Sequence, residues 1–244
     1  WSLDGKLQYE WMVSGDQSKF LRAVRHWIGD EYVSTVRSIA FEGTRVTDES
    51  VGSFVARHSE SLQEVTEITF RDCSITGKTL THLMSLPNIV VLRVEDTNIA
   101  DGDLPKLLGF RRLRELTLVN PPPKPLGYAL DRGSLSISGA RQLSTHPSLE
   151  SLTLHRFVLS DGNINYIRDF DLETLSIFNH SSGFCEVTDD GVKHLEGIEF
   201  IKDIDLAGTG ITEASMPILA TLVNLRSLSL MLTSVTSDGL SDIG

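Results

Sequence analysis

One pattern dominates this chain and leaves few folds open to it. An apolar residue, two of any kind, a second apolar residue, one more, and a third apolar residue recur eight times. The triplets are Val36/Ile39/Phe41, Val65/Ile68/Phe70, Ile89/Leu92/Val94, Leu113/Leu116/Leu118, Leu149/Leu152/Leu154, Leu172/Leu175/Ile177, Ile201/Ile204/Leu206 and Leu225/Leu228/Leu230. Their starts are 29, 24, 24, 36, 23, 29 and 24 residues apart. Self-similarity at such a period marks a supersecondary unit that cannot bury its apolar edges alone, so neighbours must stack around a shared core.

A second element follows each triplet about five residues later: an apolar residue, then Ser, Thr or Ala, then often Asp or Gly. Examples are Val46-Thr47-Asp48, Ile75-Thr76-Gly77, Ile99-Ala100-Asp101, Leu159-Ser160-Asp161, Val187-Thr188-Asp189 and Ile211-Thr212-Glu213. A hydroxyl followed by acidic or small residues is the signature of a helix N-terminus. Apolar residues then recur at helical spacing, as in Leu80, Leu83 and Leu86. Each unit therefore reads as a short strand, a turn and a short helix. Parallel strands about 4.8 Å apart give a sheet roughly 35 Å long, with helices over one side.

These residues resemble a leucine-rich repeat over about residues 33–244. The 24-residue period and the second element are similar to the ribonuclease-inhibitor-like and cysteine-containing subclasses. The resemblance implies an α/β solenoid: a right-handed horseshoe with a parallel inner sheet of about eight strands and short outer helices. The lead-in Trp27-Ile28-Gly29-Asp30-Glu31-Tyr32-Val33, running into Val36-Arg37-Ser38-Ile39 and Gly43-Thr44-Arg45-Val46-Thr47-Asp48, is similar to a large group of bacterial repeat proteins. There a membrane helix or signal often precedes a segment like Leu3-Asp4-Gly5-Lys6-Leu7-Gln8-Tyr9-Glu10. This implies a membrane anchor ahead of Trp1; without it the expectation is a cytoplasmic protein. The sequence reads as a fragment of a longer chain.

The departures from the repeat are informative. Its ninth position, an Asn that bonds the turn backbone in the resembled family, is here Thr44, Cys73, Thr97, Pro121, Phe157, His180, Thr209 and Thr233. A hydroxyl or thiol does a similar job weakly; Pro121, Phe157 and His180 cannot. The least regular turns are expected in repeats four to six.

Residues 1–32 carry no repeat. Phe20, Leu21, Val24, Trp27 and Ile28 line one face of a helix, read as a cap over the open end of the core. Repeat eight has no such cap, so its last layer would face water or another chain, and association through that end is expected. Two insertions leave from one rim of the sheet, near 121–134 (with Pro121-Pro122-Pro123-Lys124-Pro125) and near 179–186. Repeat one is also long, with its extra residues in the helix half.

The chain has 22 Lys plus Arg against 33 Asp plus Glu, a net charge of −11, which disfavours nucleic acid or an anionic bilayer as partner. No apolar run is long enough to span a membrane, so no membrane contact by these residues is expected. The seven histidines have no metal-site spacing; His82 and His194 share one helix-side position and read as structural or solvated. Asp203 and Asp205 point the same way from one strand without the six to eight oxygens calcium takes. Asp189-Asp190 and Asp101-Gly102-Asp103 read as helix-start acids. Cys73 reads as a buried turn thiol, and Cys185 lies about 20 Å away by strand spacing, beyond disulfide reach. No phosphate loop or nucleophile motif is visible. No catalytic, cofactor-binding or metal residue is assigned.

The leading reading is a non-catalytic scaffold that binds a protein or peptide on its concave face. The alternatives are a regulatory or substrate-recognition domain of a larger enzyme, and a structural spacer of a membrane-anchored envelope protein. The residue after each triplet divides the face in two. In repeats one to three it is Glu42, Arg71 and Glu95, alternating charges expected to lie side by side, with Arg93 diagonal to Glu67 and Glu115. Later it is Val119, His155, Phe178, Ala207 and Met231, followed at the next position by Arg156, Asn179 and Leu232. Repeat register is expected to align these into one patch, with Tyr128 and Phe184 on the insertions beside it.

Overall fold

The computed structural model describes residues 37–122, 135–178 and 185–236. Within them each triplet lies on a strand or at its edge. The strands are β1 (Ser38–Glu42), β2 (Glu67–Arg71), β3 (Val91–Glu95), β4 (Glu115–Val119), β5 (Ser151–His155), β6 (Leu159–Ser160), β7 (Thr174–Phe178), β8 (Cys185–Glu186), β9 (Ile201–Asp205) and β10 (Ser227–Ser229). Eight of them form one sheet in the order β1-β2-β3-β4-β5-β7-β9-β10, every pair parallel. The short β6 and β8 pair separately.

The outer layer is thinner than helices throughout. Only α1 (Asp48–His58) and α2 (Gly77–Leu83) exceed one turn of α-helix among the described residues. Later units use 3-10 segments such as Asp101–Gly109 and Ile164–Asp169, or single α turns such as Asp189–Val192. A unit near 24 residues leaves few residues for the return path, and a 3-10 turn covers more length per residue than an α turn. The unit with extra residues in its helix half is the one that forms the 11-residue α1.

The core is a stack of columns. The middle triplet residue runs Ile39, Ile68, Leu92, Leu116, Leu152, Leu175 and Ile204, all buried. Val46, Ile75, Ile99, Leu135, Leu159, Val187 and Ile211 close the layer beneath the helix starts. Leu225, Leu228 and Leu230, in the last described layer, are only partly buried against it. The expected N-terminal cap and most of both insertions lie outside the described residues.

The helix-start acids do more than face a helix dipole. Asp48 accepts from the Thr76 amide (2.9 Å) and hydroxyl (2.8 Å) and from the Thr79 amide (3.1 Å) and hydroxyl (2.6 Å). Each bracket therefore ties the acid that follows the capping position of one unit to the cap of the next. Asp101 holds Ser136, Asp161 holds Thr188, Asp189 holds Thr212 and Ser215, and Glu213 holds Thr236. Gly77 and Ile137 offer no carboxylate at that position. There the next unit supplies its own acceptor: Asp103 takes the Ala100 amide (3.2 Å) and Asn163 the Ser160 amide (2.9 Å). Facing an incoming carboxylate, the third residue after the cap is Thr79, Gly139, Gly191 or Ser215. It either donates a hydroxyl or, as at Gly139 and Gly191, has no β-carbon to collide with the acid.

The turns also depart from expectation. Cys73 donates its thiol to the carbonyls of Phe41 (3.3 Å) and Arg71 (3.2 Å), and the Thr209 and Thr233 hydroxyls donate to Leu206 and Leu230 (2.7 Å each). In repeat four the amide role falls to Asn120, one residue before Pro121. Asn120 is buried, donates to the carbonyls of Leu135 (2.7 Å) and Arg156 (3.1 Å), and accepts from the Leu135 amide (2.8 Å). Phe157 leaves the turn and fills the core. Pairing stays regular from β1 to β7, and the register break falls between β7 and β9.

Candidate interaction face

The sheet face turned away from the helices is built of residues that alternate with the core. The expected post-triplet column is present from β1 to β7: Glu42, Arg71, Glu95, Val119, His155 and Phe178 are paired in register. A second column holds Ala40, Thr69, Arg93, Thr117, Thr153 and Ser176, and a third Ser38, Glu67, Val91, Glu115, Ser151 and Thr174.

On β1 to β3 four of the five outward charges pair with one another. Arg71 Nε donates to Glu95 Oε2 at 2.9 Å, and this bond with its coulombic attraction raises the guanidinium's pKa. Arg93 pairs with Glu67; of the two acids expected beside it, Glu67 is its partner. Such exposed pairs are worth about 0–1 kcal/mol each, so they leave a solvated surface with its charges occupied.

On β4 to β7 the face is open. Thr117, Ser151, Thr153 and Thr174 are half-buried on adjacent strands, and none of the four hydroxyls has a hydrogen-bond partner among the described residues. Val119 and His155 are half-buried beside them. The outward positions of β5 and β7 are Ser151, Thr153, His155, Thr174, Ser176 and Phe178, with no Asp, Glu, Lys or Arg.

Register limits the patch. The register shifts between Leu175 and Ser176, and beyond that point Ile177 lies opposite Ile204, where the repeat alone sets it opposite Leu206. The column through Phe178 therefore runs on toward Asp205, not Ala207. Met231 and Leu232 lie beside Ala207 and Gly208, the Gly208 amide bonding the Met231 carbonyl at 2.8 Å. They are 70% and 82% exposed, in a group separate from Val119, His155 and Phe178. The expectation of one continuous apolar row is corrected accordingly.

Arg156 belongs to neither group as a free side chain. Its backbone is left-handed (φ 60°), the position that Gly43, Asp72, Asp96, Gly208 and Leu232 take in their own units. From there the guanidinium turns back to donate to Asp96 Oδ1 and the Asn120 carbonyl, with the side chain only 18% exposed. It is a strap across the third, fourth and fifth units. Tyr128, Asn179 and Phe184 lie outside the described residues, as does the Phe178 side chain.

Of the groups weighed for chemistry, Ser176 donates to Asp203 Oδ2 (3.2 Å), and Asp205, buried, accepts from the Ala207 amide (2.9 Å). His82 and His194 are exposed. Cys73 is buried and forms no disulfide among the described residues. Among the described residues no three His, Cys, Asp or Glu are grouped to hold a metal ion, and no helix is long and apolar enough to cross a membrane.

Solved structures share this architecture. A protein from Bacteroides fragilis superposes with a TM-score of 0.54 at 13% identity, over 93% of this chain and 75% of its own. The TLR13–ssRNA13 complex gives 0.53 at 14% identity, over 88% of this chain and 35% of that one. The fold is a leucine-rich repeat solenoid. The Drosophila Toll–Spätzle complex gives 0.47 at 15% identity, over 89% of this chain and 26% of that one. The sequence matches no protein-family model and no curated protein. A solenoid of this kind suits interaction in general, because outward strand residues vary without touching the core.

Proposed function

We propose that the solenoid is a non-catalytic module that binds a protein or peptide across β4, β5 and β7. One observation carries this reading: four of the five outward charges of β1 to β3 pair as Arg71–Glu95 and Arg93–Glu67, whereas the outward positions of β5 and β7 hold no charge at all, and the hydroxyls of Thr117, Ser151, Thr153 and Thr174, like those of Ser38 and Thr69, have no partner among the described residues. Unused donors and acceptors beside Val119, His155 and Phe178 suit an extended main chain, which offers amides and carbonyls at regular spacing. The net charge of −11 favours a protein partner over nucleic acid. The short period keeps the likeness to the bacterial ribonuclease-inhibitor-like subclass as a reading of the sequence. Met231 and Leu232 form a second, smaller contact area on the same reading.

The test is a peptide-display selection against the intact chain. Selected peptides should lose binding to a Thr153→Lys, His155→Asp double variant that melts like the parent, and keep binding to Arg71→Ala. Peptides that bind the double variant as tightly as the parent would sink the site.

A further inference from the structure

One column of the core contains a polar intruder. The residue closing the corner before each strand is Leu62, Leu86, Phe110, Phe170, Ile198 and Leu222, and between Phe110 and Phe170 it is His146, equally buried. Its ring is held on both sides. Nε2 lies 3.1 Å from the Leu107 carbonyl, which can only accept, so Nε2 carries the proton. Nδ1 is then unprotonated and accepts from the Ser148 amide at 3.3 Å. The Ser148 hydroxyl continues the tie, donating to the carbonyls of Arg111 (2.9 Å) and Leu113 (3.0 Å). The corner before β5 is thus pinned to the corner before β4 and to the 3-10 segment Asp101–Gly109 through one neutral imidazole.

We propose that His146 is a proton-operated latch: neutral, it closes the fourth unit against the third, and charged, it lets that junction open. A second ring proton would face the Ser148 N–H, removing one bond and setting two donors against each other in a buried site. No carboxylate among the described residues is within ion-pair range to compensate. The charged side chains on the packed segments are Asp101, Asp103 and Lys106 on the 3-10 segment, Arg111, Arg112 and Arg114 at the corner before β4, Arg141 and Glu150 on either side of it in the chain, and Arg168, Asp169 and Asp171 after it. Lys106 pairs with Asp103 and Arg141 with Asp169, while Arg168 donates to the carbonyls of His194 and Glu196. Burial accordingly holds the ring's pKa below its ordinary 6.5, despite the bond to Leu107. Because the folded value is the lower one, the latch is fully closed above pH 6.5 and weakens as pH falls below it. Although burial raises it, the Asp161 carboxylate that brackets the next junction is held below its ordinary value by the Thr188 bonds and responds only at more acid pH, which separates the two effects. The latch stands on its own geometry, whatever the sheet face binds.

Hydrogen exchange on the intact chain tests it. Between pH 7 and pH 5, protection of amides around Leu107, Leu113, His146 and Ser148 should fall, approaching tenfold per pH unit, the limit for one coupled proton. Amides of β2 and β3 should keep their protection. His146→Phe, matching Phe110 and Phe170, should remove the slope, and His146→Leu serves if the larger ring does not fold. In parallel, the His146 ring should titrate by NMR below the ordinary imidazole value of 6.5. Uniform protection across this range in the parent, a slope that survives in the folded variant, or a His146 ring that titrates at or above 6.5 overturns the proposal.

Discussion

The units bearing β1 to β3 and those bearing β4 to β7 use one scaffold and spend their polar groups differently. In the first, charges on the sheet face pair with each other, and the Cys73 turn is closed by a thiol. In the second, polar side chains move inward to hold the units together, as Asn120, His146 and Arg156 do, while the hydroxyls of Thr117, Ser151, Thr153 and Thr174 on the face have no partner among the described residues. A solenoid permits this because each unit meets only its neighbours, so a local change of polar bonding does not disturb distant layers. The two halves thus differ in charge: the outward positions of β5 and β7 offer hydroxyls and an imidazole with no Asp, Glu, Lys or Arg.

The comparison can be broken or sharpened by substitution. The largest effect tests what the two halves share. Leu152 sits fully buried between Leu116 and Leu175, and Leu152→Asp should destabilise by more than about 4 kcal/mol in thermal melts, by burying an unpaired carboxylate. A parent-like melt would mean that the register is wrong. Next, Asn120→Ala should cost about 2–3 kcal/mol by orphaning buried backbone groups, against under about 1 kcal/mol for Cys73→Ala. Equal losses in denaturant titration would erase the contrast between the halves.

Asp48→Ala should cost about 1–3 kcal/mol, because four donors on Thr76 and Thr79 lose their acceptor. Burial raises the pKa of Asp48, Asp161 and Asp189, and the hydrogen bonds from the next unit outweigh it, so the folded values lie below 3.8. Glu213 is lowered below 4.5 mainly by the Thr236 hydroxyl. The contribution of these groups is therefore present above the ordinary carboxylate range and lost as pH falls through the depressed folded values. Melting temperature should drop steeply below about pH 4 in the parent and less so in Asp48→Ala; parallel curves would discount the brackets. The smallest effect belongs to Arg71→Ala, under about 1 kcal/mol and shrinking further in salt. A loss comparable to that of Asn120→Ala would show that the face of β1 to β3 carries stability after all.

Sequence alone settled the period, the strand in every described unit, the parallel order and the alternating charges of Glu42, Arg71 and Glu95. All of these follow from apolar spacing and from the rule that identical units must stack in register. It also located the helix starts at Thr47, Thr76, Thr188 and Thr212, because a capping hydroxyl is a local signal. Tertiary structure decided the rest. That Asp48 and Asp189 grip the next unit rather than solvent depends on how far adjacent units are offset. That Asn120 takes the turn role one residue early depends on Pro121 having no N–H and on Leu135 returning beside it. Arg156 looked like a surface anchor and became a strap because a left-handed backbone turns its side chain toward Asp96, 60 residues earlier. The pairing of β7 with β9 separated Phe178 from Met231: Ile177 lies opposite Ile204, two residues short of the Leu206 that the period gives, and no periodicity foretells such a slip. Spacing along the chain dictates which way a side chain faces; which partner it then meets is set by contacts between units that the chain brings together only on folding.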